Sequence, residues 1–367
     1  MKVENLKKFW KNKRILIIGH TGFTGSWLTI FLNHLGSSVS GYSLSCEKKH
    51  IIFNILKLKN KIKNNCFADI NNSPALINFI KKTRPEIIIN LAAQPLVRKS
   101  YLEPIETYKT NVMGAINLLN ICKNIKGIKA ILMITTDKVY LNKEINKSYK
   151  ESDPLGGLDP YSSSKAASEI AIHSFEKSFF NKQDSAYIAT ARSGNIIGGG
   201  DWSEDRLIPD LIKSHISGKK FIIRMPEAIR PWQHVLEAIY GYLLLCQKLY
   251  QRNKVAKGAW NFGPNNKNFF KVKDLLNKIN LISNFKSKWY LKTSTFHESK
   301  ILKLNNNKSK KYLGWRPILS INEMIKFTIS WYELMRKNKS KLYDLSISQI
   351  NYFIKKNIIN GYKKRNF

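Results

Sequence analysis

The feature that most constrains this chain is a glycine-rich turn between an apolar run and an amphipathic segment near the N-terminus. The run "RILIIG" (14–19) predicts a buried strand, and "TGSWLTIFLNHLG" (24–36) predicts a helix that ends at a glycine. Between them, "GHTGFTG" contains Gly19, Gly22 and Gly25. Glycines let the backbone turn tightly and approach a phosphate, whose charge then lies at the helix N-terminus. The order strand, glycine turn, helix predicts a dinucleotide site, although the spacing differs from the commoner G-x-G-x-x-G.

Beyond this turn, strand-like apolar runs alternate with helical patterns as far as about residue 193. Strands are predicted over 14–19, 38–44, 65–70, 86–93, 129–135 and 186–192, and helices over 24–36, 73–85, 105–124 and 161–179. Such alternation is typical of a parallel sheet covered on both faces. We therefore predict an α/β fold with a Rossmann-type doubly wound parallel sheet, in which ligands bind outside the carboxyl ends of the strands.

The pattern changes after Asn195, where shorter helical and strand-like runs follow, among them "RLIPDLIKSHISG", "FIIR" and "GAWNFGP". We expect a dinucleotide-binding domain over residues 1–193 and a smaller C-terminal substrate-binding lobe over 194–336, partly interleaved with the sheet. The basic stretch 337–367 is expected to be a C-terminal tail, either a peripheral helix or partly disordered.

The composition is that of a soluble globular protein, with 43% hydrophobic and 24% charged residues. No apolar run is long enough to cross a bilayer, and the N-terminus lacks the apolar stretch of a secretory signal. The cysteines are scattered without metal-ligand spacing. We therefore expect a cytoplasmic protein with reduced cysteines, no metal site and no membrane partner.

The formal net charge of +37 raises the question of nucleic-acid binding. The lysines are spread along the chain and do not gather into one block with interleaved aromatic residues. We interpret the charge as compositional drift toward Lys, Asn and Ile, and we expect no nucleic-acid partner.

The segment "YSSSK" places Tyr161 and Lys165 four residues apart, on one face of the predicted helix. Asp159 and Pro160 form a helix-start signal, which puts the tyrosine in the first turn. A lysine ammonium, a nearby cationic nicotinamide and the helix dipole would all favour the phenolate. Such a pair is common by chance, but beside a dinucleotide turn it predicts a base that removes a proton from an alcohol as hydride leaves.

An unusual polar tip follows the apolar run "AILMI": Thr135, Thr136, Asp137 and Lys138. This strand precedes the tyrosine helix, so both are expected at the carboxyl edge of the sheet, near a bound nicotinamide. The pattern is equally compatible with a plain polar strand end.

The end of the second strand leaves the choice between NAD and NADP open. Dinucleotide sites usually place an acidic residue about 20 residues beyond the glycines, where it bonds the ribose. Here Tyr42 and Ser43 stand instead, and Lys48 and Lys49 just beyond would tolerate a 2′-phosphate. Asp69 is a candidate for the adenine amino group, or a simple turn aspartate.

Taken together, the motifs resemble the extended short-chain dehydrogenase/reductase family over the chain up to about residue 335. The segments "GHTGFTGSWL", "NLAAQPLVRKSY", "TTDKVY", "DPLGGLDPYSSSKAASE", "ARSGNIIGGGDW", "RPWQHVLE" and "LGWRP" are similar to its nucleotide-sugar 4,6-dehydratase branch, the later ones to members that act on CDP-glucose. The resemblance implies NAD as cofactor, CDP-glucose as the nucleotide-sugar substrate and a homodimer or higher homo-oligomer.

The resemblance also implies residue roles. Tyr161, assisted by Thr136 and Lys165, would take the proton of the sugar C4 hydroxyl, while Asp137 and Lys138 would divide acid and base roles at C6 and C5 in an order that stays open. The implied cofactor-binding residues are Gly19, Thr21, Gly22, Phe23, Thr24, Gly25, Asp69, Ile70, Leu91, Ala92, Ala93, Thr110, Tyr161 and Lys165. The implied substrate-binding residues are Gln94, Asn195, Arg206, Leu207, Arg230 and His234.

Two other interpretations remain. One is a different NAD-dependent nucleotide-sugar dehydratase or an epimerase of the same fold, against which Lys138 and "RPWQHV" argue. The other is a non-catalytic NAD-binding or nucleic-acid-binding protein, which has no physical need for a complete acid/base set.

Overall fold

The centre of the protein is a seven-stranded sheet in which every neighbouring pair of strands is parallel. A computed structural model describes residues 3–46, 51–265, 269–283, 285, 289–292 and 299–363. Among these residues the strands are β1 Arg14–Ile18, β2 Ser38–Ser43, β3 Asn64–Phe67, β4 Ile87–Asn90, β5 Ala130–Ile134, β6 Tyr187–Ser193, β7 Ile196–Ile197, β8 Phe221–Ile223, β9 Ile229–Pro231, β10 Gln233–His234, β11 Gly258–Phe262, β12 Phe269–Lys271 and β13 Trp289–Leu291. The predicted doubly wound α/β class is confirmed.

Helices cover the sheet and build the remainder of the chain. The α-helices are α1 Val3–Trp10, α2 Phe23–His34, α3 Ile52–Ile55, α4 Ser73–Thr83, α5 Val97–Leu102, α6 Pro104–Tyr108, α7 Gly114–Cys122, α8 Pro160–Phe179, α9 Leu207–Ser217, α10 Val235–Tyr250, α11 Val272–Ile282, α12 Ile321–Lys337 and α13 Leu342–Lys363. Short 3₁₀ turns lie at Leu58–Lys61, Asp137–Val139, Lys254–Ala256 and Lys339–Lys341, and π turns at Lys109–Met113 and Ser309–Leu313. None of the described helices combines the length and the apolar character needed to cross a bilayer.

The strand order across the sheet is β11-β6-β5-β4-β1-β2-β3. The chain therefore winds outward in both directions from β1, whose last residue, Ile18, lies opposite Tyr42 of β2 and Asn90 of β4. A reversal of strand order leaves a crevice at the carboxyl ends of the two strands that flank it, because their connections run to opposite faces of the sheet. The fold thus places a ligand crevice beside the glycine turn that follows β1.

Alternating side chains of each strand enter two separate cores. In β1, Ile15 and Ile17 pack with α2 and α10 on one face, whereas Leu16 and Ile18 pack with α4, α7 and α8 on the other. Because both faces are covered, the strands have nearly continuous apolar sequences. That is why the strands could be recognised from sequence.

The seventh strand of the sheet comes from the stretch expected to belong to the smaller lobe. β11 pairs with β6 from Gly258↔Ala189 to Phe262↔Ser193, and α10 packs on β5 and β6. Among the described residues of the stretch 194–336 there are also three two-stranded sheets, β7–β10, β9–β12 and β8–β13. The division into domains, with its interleaving, stays a prediction.

The long helix predicted over 105–124 is built of α6, a π turn at Lys109–Met113 and α7. The π turn accompanies a buried side chain, Asn111, whose amide bonds both the backbone of Gln94 and the Ser164 hydroxyl. The extra residue in this turn therefore ties the loop after β4 to α8.

The stretch from residue 337 onward, left open between a helix and disorder, is helical through Lys363; residues 364–367 lie outside the described residues. α13 packs against α2 and α12, and buries Leu342, Ile350 and Phe353. Full burial of such side chains contributes about 1.5–3 kcal/mol each. The C-terminal helix therefore belongs to the folded body.

Candidate active site

A cavity of about 540 Å³ lies at the carboxyl ends of the sheet strands, beginning at the glycine turn. Gly19 follows β1 with φ +86, a left-handed conformation that favours glycine. A Cβ at Gly19 would lie 2.8 Å from the backbone nitrogen of Ala92, and one at Gly25 would collide with the Gly19 carbonyl. Helix α2 begins after Gly22, and no side chain caps its first turn by a hydrogen bond.

These features fit a dinucleotide pyrophosphate. The first turn of α2 has unsatisfied backbone N–H groups and the positive end of the helix dipole, and it contains no acidic residue. Gly22, Phe23 and Thr24 line the cavity at this point. The absence of side chains at the glycines leaves room for a phosphate to reach the backbone. The glycine turn therefore provides an anion site with the chemistry that a pyrophosphate needs.

The far end of this half of the cavity is formed by the ends of β2 and β3. Tyr42, Ser43, Asp69 and Ile70 line it. The Ser43 hydroxyl lies 2.7 Å from that of Thr21, and Asp69 Oδ1 accepts a hydrogen bond of 2.7 Å from the Asn71 backbone. Asp69 thus caps a turn and also lines the cavity, and its contact with an adenine stays a prediction. Lys48 and Lys49 lie outside the described residues.

The end of β4 supplies small residues. Leu91, Ala92 and Ala93 line the cavity, as does Thr110 of the π turn. Every cofactor-binding residue expected from the sequence thus lies along one continuous wall. Gln94 turns away, because its side-chain amide donates to the carbonyl of Leu96 and to the Thr107 hydroxyl within the loop.

The polar tip of β5 meets the N-terminal turn of α8. Thr136 caps the 3₁₀ turn Asp137–Val139, and its hydroxyl donates to Asp137 Oδ1 at 3.0 Å. The same hydroxyl is hydrogen-bonded to the phenol of Tyr161. Asp159 caps α8 as expected, accepting from the Ser162 backbone at 2.9 Å, so Tyr161 does lie in the first helical turn. Thr136, Lys138, Tyr161 and Lys165 line the cavity, and Asp137 lies directly beneath them, 2% exposed.

Burial changes the acid/base properties of these groups. It raises the pKa of the Tyr161 phenol to about 12, against the hydrogen bond of Thr136 and the charge of Arg206, which act to lower it. It lowers the pKa of Lys165 to about 8, against the raising effect of Glu169; the ammonium donates to the Ile134 carbonyl at 3.2 Å.

The pKa of the Asp137 carboxyl is raised above that of an exposed aspartate. Burial raises its pKa to about 6, although the charges of Lys138 and Arg230 and the hydrogen bond from Thr136 act to lower it. A carboxyl with this pKa is protonated in part of the molecules at neutral pH, so it can donate as well as accept a proton.

The residues expected to bind substrate divide into two groups. Arg206 lines the cavity, and Arg230, on β9, lies close enough to Asp137 to act on its pKa. Asn195 lies between two lining residues, Gly194 and Ile196, and its carbonyl accepts from the Gln233 backbone.

Besides Gln94, two more of these residues do not reach the cavity. Leu207 begins α9 behind Arg206. His234 is fully buried at the start of α10, where its Nδ1 accepts from the Leu236 backbone and its ring packs against Trp27 and Phe327. Trp232 is also buried, with its indole N–H donating to the Phe270 carbonyl.

Sequence reasoning missed a charged group at the cavity mouth. Arg98 of α5, Arg224 at the end of β8, and Ser203 and Asp205 before α9 all line the cavity. The available signal was that Arg98 follows the predicted strand 86–93 by five residues, in "PLVRKSY", and that Arg224 ends the strand-like run "FIIR". That signal gives their place in the chain, but not their convergence.

Comparisons with known proteins place the sequence in a family. The sequence model of the family described as GDP-mannose 4,6 dehydratase matches residues 16–328. A CDP-glucose 4,6-dehydratase from Salmonella typhimurium is 41% identical over 341 residues, which cover 92% of this chain and 95% of that protein.

Solved structures share the fold. A dTDP-glucose 4,6-dehydratase from Bacillus anthracis, in complex with NAD, superposes with a TM-score of 0.72 at 22% identity, covering 91% of this chain and 99% of that one. An epimerase from Methanothermobacter thermautotrophicus gives a TM-score of 0.78 at 19% identity, covering 92% and 97%. At these identities the likeness is one of fold.

Proposed function

Because this chain belongs to the GDP-mannose 4,6-dehydratase family, we propose that it is an NAD-dependent CDP-glucose 4,6-dehydratase. It converts CDP-glucose to CDP-4-keto-6-deoxyglucose and water. The observation that carries the proposal is that Thr136, Lys138, Tyr161 and Lys165 line one cavity, with the buried Asp137 hydrogen-bonded to Thr136. The choice of CDP-glucose rests on the relative of 41% identity.

NAD is the cofactor that the wall from the glycine turn to Thr110 would hold. Gly19, Gly22 and Gly25 would face the pyrophosphate, Asp69 and Ile70 the adenine end, and Ala92 the middle of the cofactor. When bound there, NAD supplies a hydride acceptor for the sugar C4 and a hydride donor for C6.

Oxidation at C4 needs a base for the hydroxyl proton. Tyr161 is that base, and Thr136 orients its phenol by a hydrogen bond. The ammonium of Lys165 lies one helical turn away and donates to the Ile134 carbonyl. Its positive charge stabilises the phenolate and so opposes the burial that raises the pKa of Tyr161.

Elimination of water across C5 and C6 distinguishes a dehydratase from an epimerase. A ketone at C4 acidifies C5, so a base must take the C5 proton and an acid must protonate the leaving C6 hydroxyl. We assign the acid role to Asp137, because burial holds part of it in the protonated form near neutral pH, and the base role to Lys138. This acid/base pair makes an epimerase the weaker alternative.

The direct test is mass spectrometry of the purified protein with NAD and CDP-glucose, run in parallel with dTDP-glucose, UDP-glucose and GDP-mannose. We expect loss of one water from the CDP sugar alone. Loss of water from another nucleotide sugar would refute the specificity for CDP-glucose, but the proposed type of reaction would stand. No loss from any sugar, with NAD bound, would refute the dehydratase.

We propose that the protein forms a homodimer through the helices after β4 and β5. Leu102, Ile105, Met113 and Ile170 are large apolar side chains exposed on α5, α6, the π turn and α8. Light scattering is expected to give twice the mass of the chain, and Ile105→Glu is expected to shift the protein to monomers; a wild-type monomer would refute this. We also propose that the protein is cytoplasmic. Its four cysteines are free thiols, as is usual for proteins of that reducing compartment.

A further inference from the structure

An acidic residue at the cavity mouth bridges two arginines from opposite sides. Asp205 Oδ1 accepts from Arg98 Nη1 at 2.9 Å and from Arg224 Nη1 at 3.0 Å. Arg98 lies on the sheet side, in α5, whereas Arg224 belongs to the lobe, after β8. All three line the cavity that contains Tyr161. One carboxylate oxygen thus connects both walls of the mouth.

The arrangement contributes little to stability. The side chains of Arg98 and Asp205 are 40% and 31% exposed. Ion pairs with that much exposure are worth at most about 1 kcal/mol in measured cases, because water screens the charges. Asp205 also has a left-handed backbone, with φ 57, which aspartate adopts more readily than most residues. A weak ion pair that lines the cavity is better explained by ligand binding than by folding.

The neighbouring charges define what this mouth attracts. Arg206 is a third cation lining the cavity, paired at 3.1 Å with the buried carboxylate of Asp201. Asp210 also faces Asp205 and Arg224. Two guanidinium groups that share one oxygen lie within reach of a single phosphate group, which arginine recognises by paired hydrogen bonds.

We propose that Asp205 is an internal counter-anion, which holds Arg98 and Arg224 at the diphosphate position and is displaced by the diphosphate of the nucleotide sugar. Asp205 keeps both guanidinium groups in place and neutralised between turnovers. Because the ligand must displace it, Asp205 lowers the affinity for substrate and for the product, which carries the same diphosphate. The inference deepens the proposed function, on whose nucleotide-sugar site it rests.

The test is calorimetric titration of the NAD-loaded protein with CDP, inorganic pyrophosphate and cytidine, so that the glycine turn is occupied throughout. Asp205→Asn removes the competing charge and keeps the size of the side chain. We expect it to tighten CDP and pyrophosphate binding about two- to fivefold, the range of one exposed ion pair. Arg98→Gln and Arg224→Gln are each expected to weaken CDP binding about tenfold or more, as loss of a hydrogen bond to a charged group does. Cytidine binding should be unchanged in all three.

Glu204→Gln is the matched control, since it removes the same charge from the adjacent exposed side chain, which has no ion pair among the described residues. It should leave CDP affinity within about twofold. The proposal is overturned if Asp205→Asn leaves CDP affinity unchanged or weakens it like Arg98→Gln, or if the wild-type protein binds neither CDP nor pyrophosphate. Water loss from nucleotide sugars is measured separately. If the enzyme dehydrates its substrate but Asp205→Asn binds CDP as the wild type does, only this inference is refuted and the proposed function stands.

Discussion

Arg192 and Glu169 form a two-point ion pair behind the active-site cavity, with Nε–Oε1 at 2.9 Å and Nη2–Oε2 at 3.0 Å. Both side chains are only 4% exposed. The hydroxyls of Thr135 and Thr190 donate to the same carboxylate, so its oxygens are fully used. The pair therefore joins α8, which carries Tyr161 and Lys165, to the ends of β5 and β6.

Glu169→Gln is expected to lower the free energy of unfolding by about 3–5 kcal/mol, because it leaves the buried Arg192 charge without its ion-pair partner. Urea denaturation measures the change. As the control, Glu103→Gln breaks the exposed pair with Lys99 and should cost less than about 1 kcal/mol. Equal losses in the two variants would contradict the assignment of Glu169 as a buried structural anchor.

Tyr161→Phe is expected to reduce kcat at least about 10²- to 10⁴-fold, the usual contribution of a positioned general base, with NAD affinity nearly unchanged. Steady-state water loss from CDP-glucose and NAD titration measure the two effects. Tyr108→Phe provides the control, since that phenol donates to Ser163 on the same helix but does not line the cavity. A Tyr161→Phe enzyme that turns over normally would refute the role of the phenol.

Lys138→Gln is expected to separate oxidation from elimination. The C4 hydroxyl can still be oxidised through Tyr161, but no base removes the C5 proton, so hydride is not returned to the sugar. Reduced NAD should accumulate in a single turnover, seen by its near-ultraviolet absorbance, and the C5 position should stop exchanging with deuterated water. If exchange continues at the wild-type rate, Lys138 is not the base.

Asp137→Asn is expected to stabilise the protein at pH 7 while it abolishes water loss. Burial raises the folded-state pKa of Asp137 from 3.8 to about 6. Its contribution to stability is thus fully present below about pH 4 and is lost as the pH rises through 6. Asparagine does not ionise, so the variant should exceed the wild type by up to about 3 kcal/mol at pH 7 and match it near pH 4.

Asp153→Asn serves as the comparison of opposite sign. Burial acts to raise the pKa of Asp153, but the hydrogen bonds from Lys147 and from the Lys150 backbone outweigh it, and the pKa is lowered. That variant should lose stability at pH 7 and approach the wild type as the pH falls. Thermal melts from pH 4 to 8 measure both variants. If Asp137→Asn is no more stable than the wild type at pH 7, burial does not raise the pKa of Asp137.

Gly19→Ala is expected to abolish NAD binding, because its Cβ would lie 2.8 Å from the Ala92 nitrogen in the wall that we propose for NAD. Gly127→Ala is the matched control. Gly127 also has a left-handed backbone, with φ 93, but a Cβ there meets nothing within 4 Å. Both variants carry backbone strain of about 1–2 kcal/mol, and only the first closes the site. Equal NAD affinity in the two variants would argue against the glycine turn as the cofactor site.

The sequence by itself determined the features that depend on local spacing. The glycine turn follows its strand directly, the helix predicted over 161–179 runs from Pro160 to Phe179, and Thr136, Asp137 and Lys138 are consecutive at a strand end. Strand alternation and the four-residue helical repeat act over a few residues, so they can be read without the fold.

Only the tertiary structure decided which distant residues meet. Arg98, Asp205 and Arg224 converge from separate segments, β11 joins the central sheet from the stretch after residue 195, and His234 lies in the core instead of at the cavity. The pKa values of Asp137 and Lys165 likewise depend on how completely the packed helices exclude water. Burial and convergence are products of packing between segments far apart in the chain, and no local sequence pattern encodes them.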